Sequence, residues 1–322
     1  MLLRIYTEGD LQRGLGHLTR CSAYAAAWRQ REGGVCWVVD GDEAARNALL
    51  GESVDWRKAW QEEIVMQRHD AVAIVDSYTA TLSVLQSISD NHRQVVYLDD
   101  TFRLSYPAGL VVHSAPGKAR QVNDGAQWLW GPAWQPLRPA FWNIPLRKDF
   151  APEISRVLIL MGGTDVRNLI PAMVFAVRSV YPVSEINVVV ARKDYNPVAG
   201  EYVHYELSAE QMAKLMLQSD IAISAAGQTT YELAACGLPA VLVLVADNQR
   251  TQLDGWQETG TFKYAGEWND VRLMEKVMCC VRELRTVESR MQLSMVMQQQ
   301  VDGGGAVLLM EYLANNGDAW HI

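Results

Sequence analysis

The sequence predicts two doubly wound α/β domains in tandem, and three observations carry that expectation. Short, unbroken apolar runs, such as those at 2–6, 71–75 and 240–245, alternate with helical patterns along nearly the whole chain. Runs of that kind are strands buried on both faces, and helices between them make the sheet parallel. The alternation stops once, in a tryptophan- and proline-rich stretch at 128–152, and then begins again. The third observation is length: 322 residues exceed what one ordinary core holds. The domains are accordingly expected over 1–145 and 146–322.

In the first half the strand candidates are 2–6, 35–39, 71–75, 95–98 and 110–113, and the helix candidates are 18–30, 43–50, 56–67 and 80–89. The second half opens with a strand at 156–160, a helix at 168–180 and a strand at 186–191. A helix over 208–217 follows, with Ser208 a residue type suited to capping its N-terminus. Next come a strand at 221–224, a helix at 229–236, a strand at 240–245 and helices at 249–259 and 271–291. Gly303-Gly304-Gly305 breaks the chain before a last helix at 306–314. In such sheets ligands lie beyond the carboxyl ends of the strands, so the expected site is a cleft between two facing Rossmann-like halves.

Composition excludes several function classes. Hydrophobic residues make up 49% of the chain and charged ones 20%, the balance of a globular protein. No apolar run reaches the roughly 18 residues of a membrane span, and no basic leader with a cleavage site opens the chain. A cytoplasmic protein without a transmembrane segment is expected. The formal net charge of −8, with no lysine-arginine cluster, argues against a nucleic-acid partner. The five cysteines form neither a CxxC nor any metal spacing and read as small buried residues in a reducing compartment. Asp99-Asp100 closes a strand without a third ligand at useful spacing, so no metal and no cofactor are expected. The sequence leaves the oligomeric state open, and a monomer is compatible with it.

Three segments carry chemistry. The first is Gly14-Leu15-Gly16-His17, which joins the first strand to an alanine-rich helix. Free backbone N–H groups at a helix start favour a phosphate-bearing ligand, and His17 at the mouth of the turn can take or give a proton near neutrality. Glycine turns also open many α/β domains that hold nothing. The second is Met161-Gly162-Gly163-Thr164-Asp165, two glycines and a hydroxyl directly after a buried strand. The third runs from Ser224 through Gly227 to Glu232. There a strand enters a small-residue turn, and Thr229 and Thr230 with the backbone N–H groups are placed to hold a diphosphate. Glu232, one turn into the helix, is a candidate acceptor for ribose hydroxyls; its plainer role is to stabilise the helix start.

Together with Val75-Asp76-Ser77-Tyr78, Leu98-Asp99-Asp100 and Asn248-Gln249, these segments give the chain a family resemblance. It resembles the GT-B nucleotide-sugar enzymes, and within them the UDP-2,4-diacetamido-2,4,6-trideoxy-β-L-altropyranose hydrolases of pseudaminic acid biosynthesis and the spore-coat-polysaccharide type proteins. The resemblance implies a GT-B fold and metal-independent, inverting hydrolysis of a UDP-sugar, releasing UDP and a free sugar for nonulosonic acid synthesis. It implies His17 as the base that activates water, with Asp76 and Tyr78 beside it. It further implies that Gly14, Gly16, Gly163, Thr164, Gly227, Thr229, Thr230, Glu232, Asn248 and Gln249 surround the nucleotide-sugar. The chain departs from the family pattern at Glu8, where aspartate is usual, and at Arg13, where isoleucine is usual. Arg13 is then expected to pair with a phosphate or with Glu8. The alternative reading is a glycosyltransferase of surface-polysaccharide synthesis, in which His17 deprotonates an acceptor alcohol. A third is a nucleotide-sugar-binding partner without catalysis.

Overall fold

The structure, a computed structural model, describes residues 1–64, 67–162, 165–190, 195–197 and 200–316. The chain divides into two compact units. The first holds Met1–Ser114, Ala119–Pro139 and the residues from Gly304 on; the second holds Ala115–Lys118 and Ala140–Gly303.

The first unit contains β1 (Leu2–Gly9), α1 (Gly16–Arg29), β2 (Gly34–Gly41), α2 (Glu43–Ala48), β3 (Val54–Trp56), β4 (His69–Asp76), α3 (Leu82–Asn91), β5 (His92–Leu98), β6 (Gly109–His113) and β7 (Ala126–Trp130). Its seven strands are all parallel, in the order β3-β2-β1-β4-β5-β6-β7. The core lies where Tyr6, Val38, Ala73, Val75 and Val95 of the strands meet Val84, Leu85 and Ile88 of α3.

The second unit contains β8 (Arg156–Leu160), α4 (Ile170–Val180), β9 (Glu185–Val190), β10 (Glu201–Tyr205), α5 (Ala209–Gln218), β11 (Ile221–Ala225), α6 (Thr229–Ala235), β12 (Ala240–Leu244), α7 (Arg250–Thr259), β13 (Lys263–Glu267), α8 (Leu273–Glu283) and α9 (Val287–Gln300). Its six strands are also all parallel, in the order β10-β9-β8-β11-β12-β13. Val157, Ile159, Ile223 and Val241 pack here with Met173 and Val177 of α4 and Val277 and Val281 of α8. Each sheet therefore reverses its winding once, between β1 and β4 in one and between β8 and β11 in the other. Both are Rossmann-like, and each reversal opens the carboxyl ends of the flanking strands.

The last helix, α10 (Gly305–Asn315), returns to the first unit and packs on α1. Gly305 makes its start possible, because a Cβ there would lie 2.3 Å from the carbonyl oxygen of Gln135. Other differences from the sequence expectation are local. The stretch at 56–67 is not a helix among its described residues: Trp56 ends β3, Ala59 takes φ +56°, and the buried Trp60 indole donates to the carbonyl of Thr7 at 2.9 Å. The helix expected over 271–291 is two, α8 and α9, separated where the Thr286 hydroxyl caps the second by accepting from Ser289 N. The tryptophan-rich stretch begins inside the first sheet, with Trp128 and Trp130 of β7 stacked at 5.2 Å. No described helix is long and apolar enough to cross a membrane.

Candidate functional site

At the reversal of the first sheet, the residues singled out by sequence come together. β1 runs out through Thr7, Glu8 and Gly9 into a turn organised by Asp10. The Asp10 carboxylate accepts from the backbone N–H groups of Gln12 and Arg13 at 2.8 and 2.6 Å, and its carbonyl accepts from Gly14 N at 2.8 Å. Gly14 sits at φ +82°, where any side chain is strained. The chain enters α1 at Gly16, and Leu15 supplies no side-chain cap to the N–H groups of the first turn.

His17 is the second residue of that helix, and Asp76 is the last of β4. His17 Nδ1 lies 2.7 Å from Oδ1 of Asp76, whose side chain is wholly buried. Arg20 stands on the same face of α1 as His17, one turn along. Its Nε donates to Asp76 Oδ2 at 2.8 Å and its Nη2 to Oδ1 at 2.5 Å, while Nη1 reaches Asp100 Oδ2 at 3.3 Å. The Cys21 thiol also points at Asp76, 3.7 Å from Oδ2. Burial alone pushes the Asp76 carboxyl up, but the charge of Arg20, with the bond and charge of His17, holds it down at about 2. A carboxylate that stays ionised accepts the Nδ1 proton of a neutral imidazole, which leaves the lone pair on Nε2.

Tyr78 completes the cluster. Its ring meets His17 nearly edge-on, with centroids 4.6 Å apart, and its hydroxyl donates to Asp100 Oδ1 at 2.8 Å. Burial, and then the Asp100 charge, pushes the phenol up, so it remains a donor. Glu8 is buried below, accepting from Tyr78 N at 3.1 Å, from the Thr79 hydroxyl at 2.8 Å and from the Gln61 amide. Arg13 lies 3.5 Å from Glu8, 2.6 Å from Asp10 and 3.4 Å from Asp40. Three carboxylates thus take the guanidinium that the sequence offered to a phosphate or to Glu8, and the two positions that depart from the family pattern face each other.

Sequence reasoning missed Arg20 and Asp100 as members of this cluster. The signal was available for Arg20, which lies three residues after His17 and hence on one helix face. Asp99-Asp100 was read as a plain strand-end turn, which holds for Asp99 alone. Asp99 accepts from the backbone of Thr101 and Arg103, at 2.6 and 2.9 Å.

A concavity of about 990 Å³ opens at the other end of this sheet, lined by His69, His92, Gln94 and Gly109. Its chemistry is spent internally: His92 bonds Tyr6 Oη at 3.1 Å and the carbonyl of Ile88 at 2.9 Å, and burial pushes the ring down to about 4. The strand-end cluster, with converging acid, base and cation, is the better candidate.

In the second domain, the turn after β11 lies at the corresponding reversal. Gly227 is packed closely, since a Cβ there would lie 3.3 Å from Gln249 Nε2. Gln249 Oε1 accepts from Val245 N at 3.2 Å, and Asn248 is exposed beside it. Thr229 and Glu232 are half-buried on α6. Thr230 is turned into the fold. It is fully buried, its hydroxyl donates to the Gly227 carbonyl at 2.8 Å, and it accepts from Gln252 Nε2 at 2.7 Å and Trp256 Nε1 at 3.0 Å. A hydroxyl with one proton and two lone pairs has nothing left for a diphosphate. Gly163 and Thr164 lie outside the described residues.

No family model matches the chain. Among curated proteins it is 22% identical to the spore coat polysaccharide biosynthesis protein SpsG of Bacillus subtilis over 288 residues, 81% of this chain and 82% of that one. It is 24% identical over 202 residues to the pseudaminic acid cytidylyltransferase and UDP-2,4-diacetamido-2,4,6-trideoxy-β-L-altropyranose hydrolase of Helicobacter pylori, covering 59% of this chain and 37% of that one. An uncharacterized protein of Methanocaldococcus jannaschii is 22% identical over 80% of this chain and 58% of its own. The chain thus spans little more than half of the archaeal relative and just over a third of the Helicobacter one. These are distant likenesses, of spore-coat and pseudaminic type. Among solved structures it superposes on MurG of Acinetobacter baumannii with a TM-score of 0.63 at 13% identity, over 98% of this chain and 99% of that one. The kitacinnamycin glycosyltransferase gives 0.66 at 13% identity, over 97% and 98%. The fold is GT-B.

Proposed function

We propose that the protein processes a nucleotide-sugar, moving the glycosyl group from its diphosphate to a hydroxyl, with His17 as general base oriented by Asp76. The observation that carries this reading is the 2.7 Å bond between His17 Nδ1 and a buried, ionised Asp76 at the carboxyl end of the first sheet. Nε2 then takes the proton of the attacking hydroxyl as its oxygen bonds to the anomeric carbon. The bond to the diphosphate breaks, the diphosphate leaves with the electron pair, and attack from the opposite side inverts the anomeric centre. The N–H groups opening α1 after Gly14 and Gly16 suit the growing negative charge. On the second domain we assign the nucleotide to Gly227, Thr229, Glu232, Asn248 and Gln249, with Gly163 and Thr164 carried from the resemblance alone. Arg13 and Thr230 leave the set.

The hydroxyl belongs to an acceptor sugar or alcohol in the reading we favour, which is supported by the likeness in fold to MurG and to several glycosyltransferases. Water is the second candidate, favoured by the likeness to the Helicobacter hydrolase. The test is release of nucleoside diphosphate from UDP- and dTDP-sugars by wild type and His17→Ala, with and without acceptor glycans. Release that needs an acceptor and collapses in the variant supports transfer. Equal release in buffer alone moves the assignment to hydrolysis. Binding of nucleotide with no release under any condition rejects catalysis and leaves a binding partner.

A further inference from the structure

We propose that Arg20 is a positioning residue for His17, acting through Asp76, and is not a phosphate ligand. The inference rests on the reading of His17 as the base. An arginine in the first turns of a helix beside a phosphate-bearing site invites assignment to the phosphate. Its geometry says otherwise. Nε and Nη2 grip the two oxygens of Asp76 as a fork and Nη1 is tied to Asp100, so all three guanidinium nitrogens point at carboxylates, with Nη2 also 3.5 Å from His17 Nδ1. The side chain is only 13% exposed.

The fork does two things for His17. A bidentate guanidinium fixes the plane of the carboxylate, so that Oδ1 is held 2.7 Å from Nδ1 and the imidazole cannot turn. It also shares the field of Asp76. A carboxylate facing only an imidazole stabilises the imidazolium more than one already paired with a cation does. Asp100 anchors the far side of the fork and ties it to Tyr78, whose ring borders His17. The other groups facing this pair are Cys21, its thiol pushed up by burial, and Tyr24, likewise pushed up, so both stay neutral. Glu8 lies beyond Tyr78 N.

The variants are Arg20→Gln, which removes charge and fork, and Arg20→Lys, which keeps the charge and loses the fork. Three readouts are taken on the full chain: UDP affinity by calorimetry, the pH profile of kcat, and the His17 ring signals in nitrogen-15 spectra, assigned by their loss in His17→Gln. In R20Q the imidazolium form of His17 persists to higher pH than in wild type, and the acidic limb of the kcat profile moves up with it. R20K keeps the limb in place and loses about tenfold or more in kcat. UDP affinity stays within about threefold in both. A tenfold or greater loss of UDP affinity would make Arg20 a phosphate ligand and overturn the proposal. So would an R20Q ring titration superimposable on wild type. The ring signals need no substrate, so they decide the role of Arg20 even if no nucleotide-sugar turns over. Should R20Q not fold, R20K alone decides: kcat lost at unchanged UDP affinity and unchanged acidic limb supports the proposal, and weakened UDP binding or intact kcat overturns it.

Discussion

Asp76→Asn is the perturbation on which the first-domain account makes its firmest statement. The carboxylate is wholly buried and accepts from His17, twice from Arg20 and weakly from Cys21. Its carboxyl sits at about 2, below the ordinary 3.8. That difference corresponds to ~2 kcal/mol of stability at neutral pH. Asparagine loses this and also turns an N–H₂ group toward either the guanidinium or the imidazole, leaving a mostly buried cation without its partner. Breaking a buried pair in that way costs about 3–5 kcal/mol. For a domain of this size each kcal/mol moves the melting temperature by roughly 2–4 °C, so the first domain is expected to melt about 6–20 °C lower. The sign with pH follows from the lowered carboxyl. Its contribution is complete above about pH 4 and is lost as the pH falls towards 2, so the gap between wild type and D76N narrows over that window. Melting by circular dichroism at pH 7, 4 and 3 measures both. A variant that melts within about 2 °C of wild type at pH 7 would refute the assignment of Asp76 as an ionised, paired anchor.

Other consequences can be checked alongside. His17→Ala, which removes one of the bonds to buried Asp76, is expected to lower kcat about 10²–10⁴-fold and to cost about 1–2 kcal/mol of stability. Thr230→Val strands the buried Trp256 donor, while Gln252 keeps its bond to the Gly227 carbonyl at 2.8 Å; the second domain should lose about 1–3 kcal/mol in urea denaturation. Because the hydroxyl touches no ligand in this account, UDP affinity in T230V should hold within about threefold, and a loss confined to affinity would return Thr230 to the binding site. Gly255→Ala places a Cβ 2.1 Å from the carbonyl oxygen of Pro116, which α7 crosses at close range. The clash should outweigh alanine's gain in helix propensity and cost about 1–3 kcal/mol net, read from the same urea curves.

The interior of both sheets was legible in the sequence and the edges were not. Strands β1, β4, β11 and β12 are buried on both faces and write nearly continuous apolar runs, interrupted by Arg4 in β1 and Ser224 in β11, so they were placed to within a few residues. The four strands without an expected counterpart, β3, β7, β10 and β13, are the outer strands of the two sheets. They are half-buried and carry Asp55, Gln127, His204 and Gly266 among their apolar residues, so neither a continuous run nor a clean alternation marks them. The boundary between α8 and α9 was lost because the break is only three residues, Leu284 to Thr286, and holds neither glycine nor proline.

For the site, the resemblance named His17, Asp76 and Tyr78 together, and they lie side by side because strand ends at a winding reversal converge. What spacing does not state is which polar group is consumed by which neighbour. Arg13 and Thr230 sit inside motifs and look like ligands, yet Asp40 and Trp256, contacts made through the fold, claim them. Arg20 and Asp100 were given no role from the sequence, and the same kind of contact draws them in.

The measurement that tests the central claim most directly is nucleoside diphosphate release from a panel of UDP- and dTDP-sugars by wild type and His17→Ala, with nucleotide binding followed on the same samples. The account predicts release by wild type, dependent on an added acceptor, and a fall of at least about 100-fold in the variant at unchanged nucleotide affinity. Release that survives unchanged in His17→Ala would contradict it.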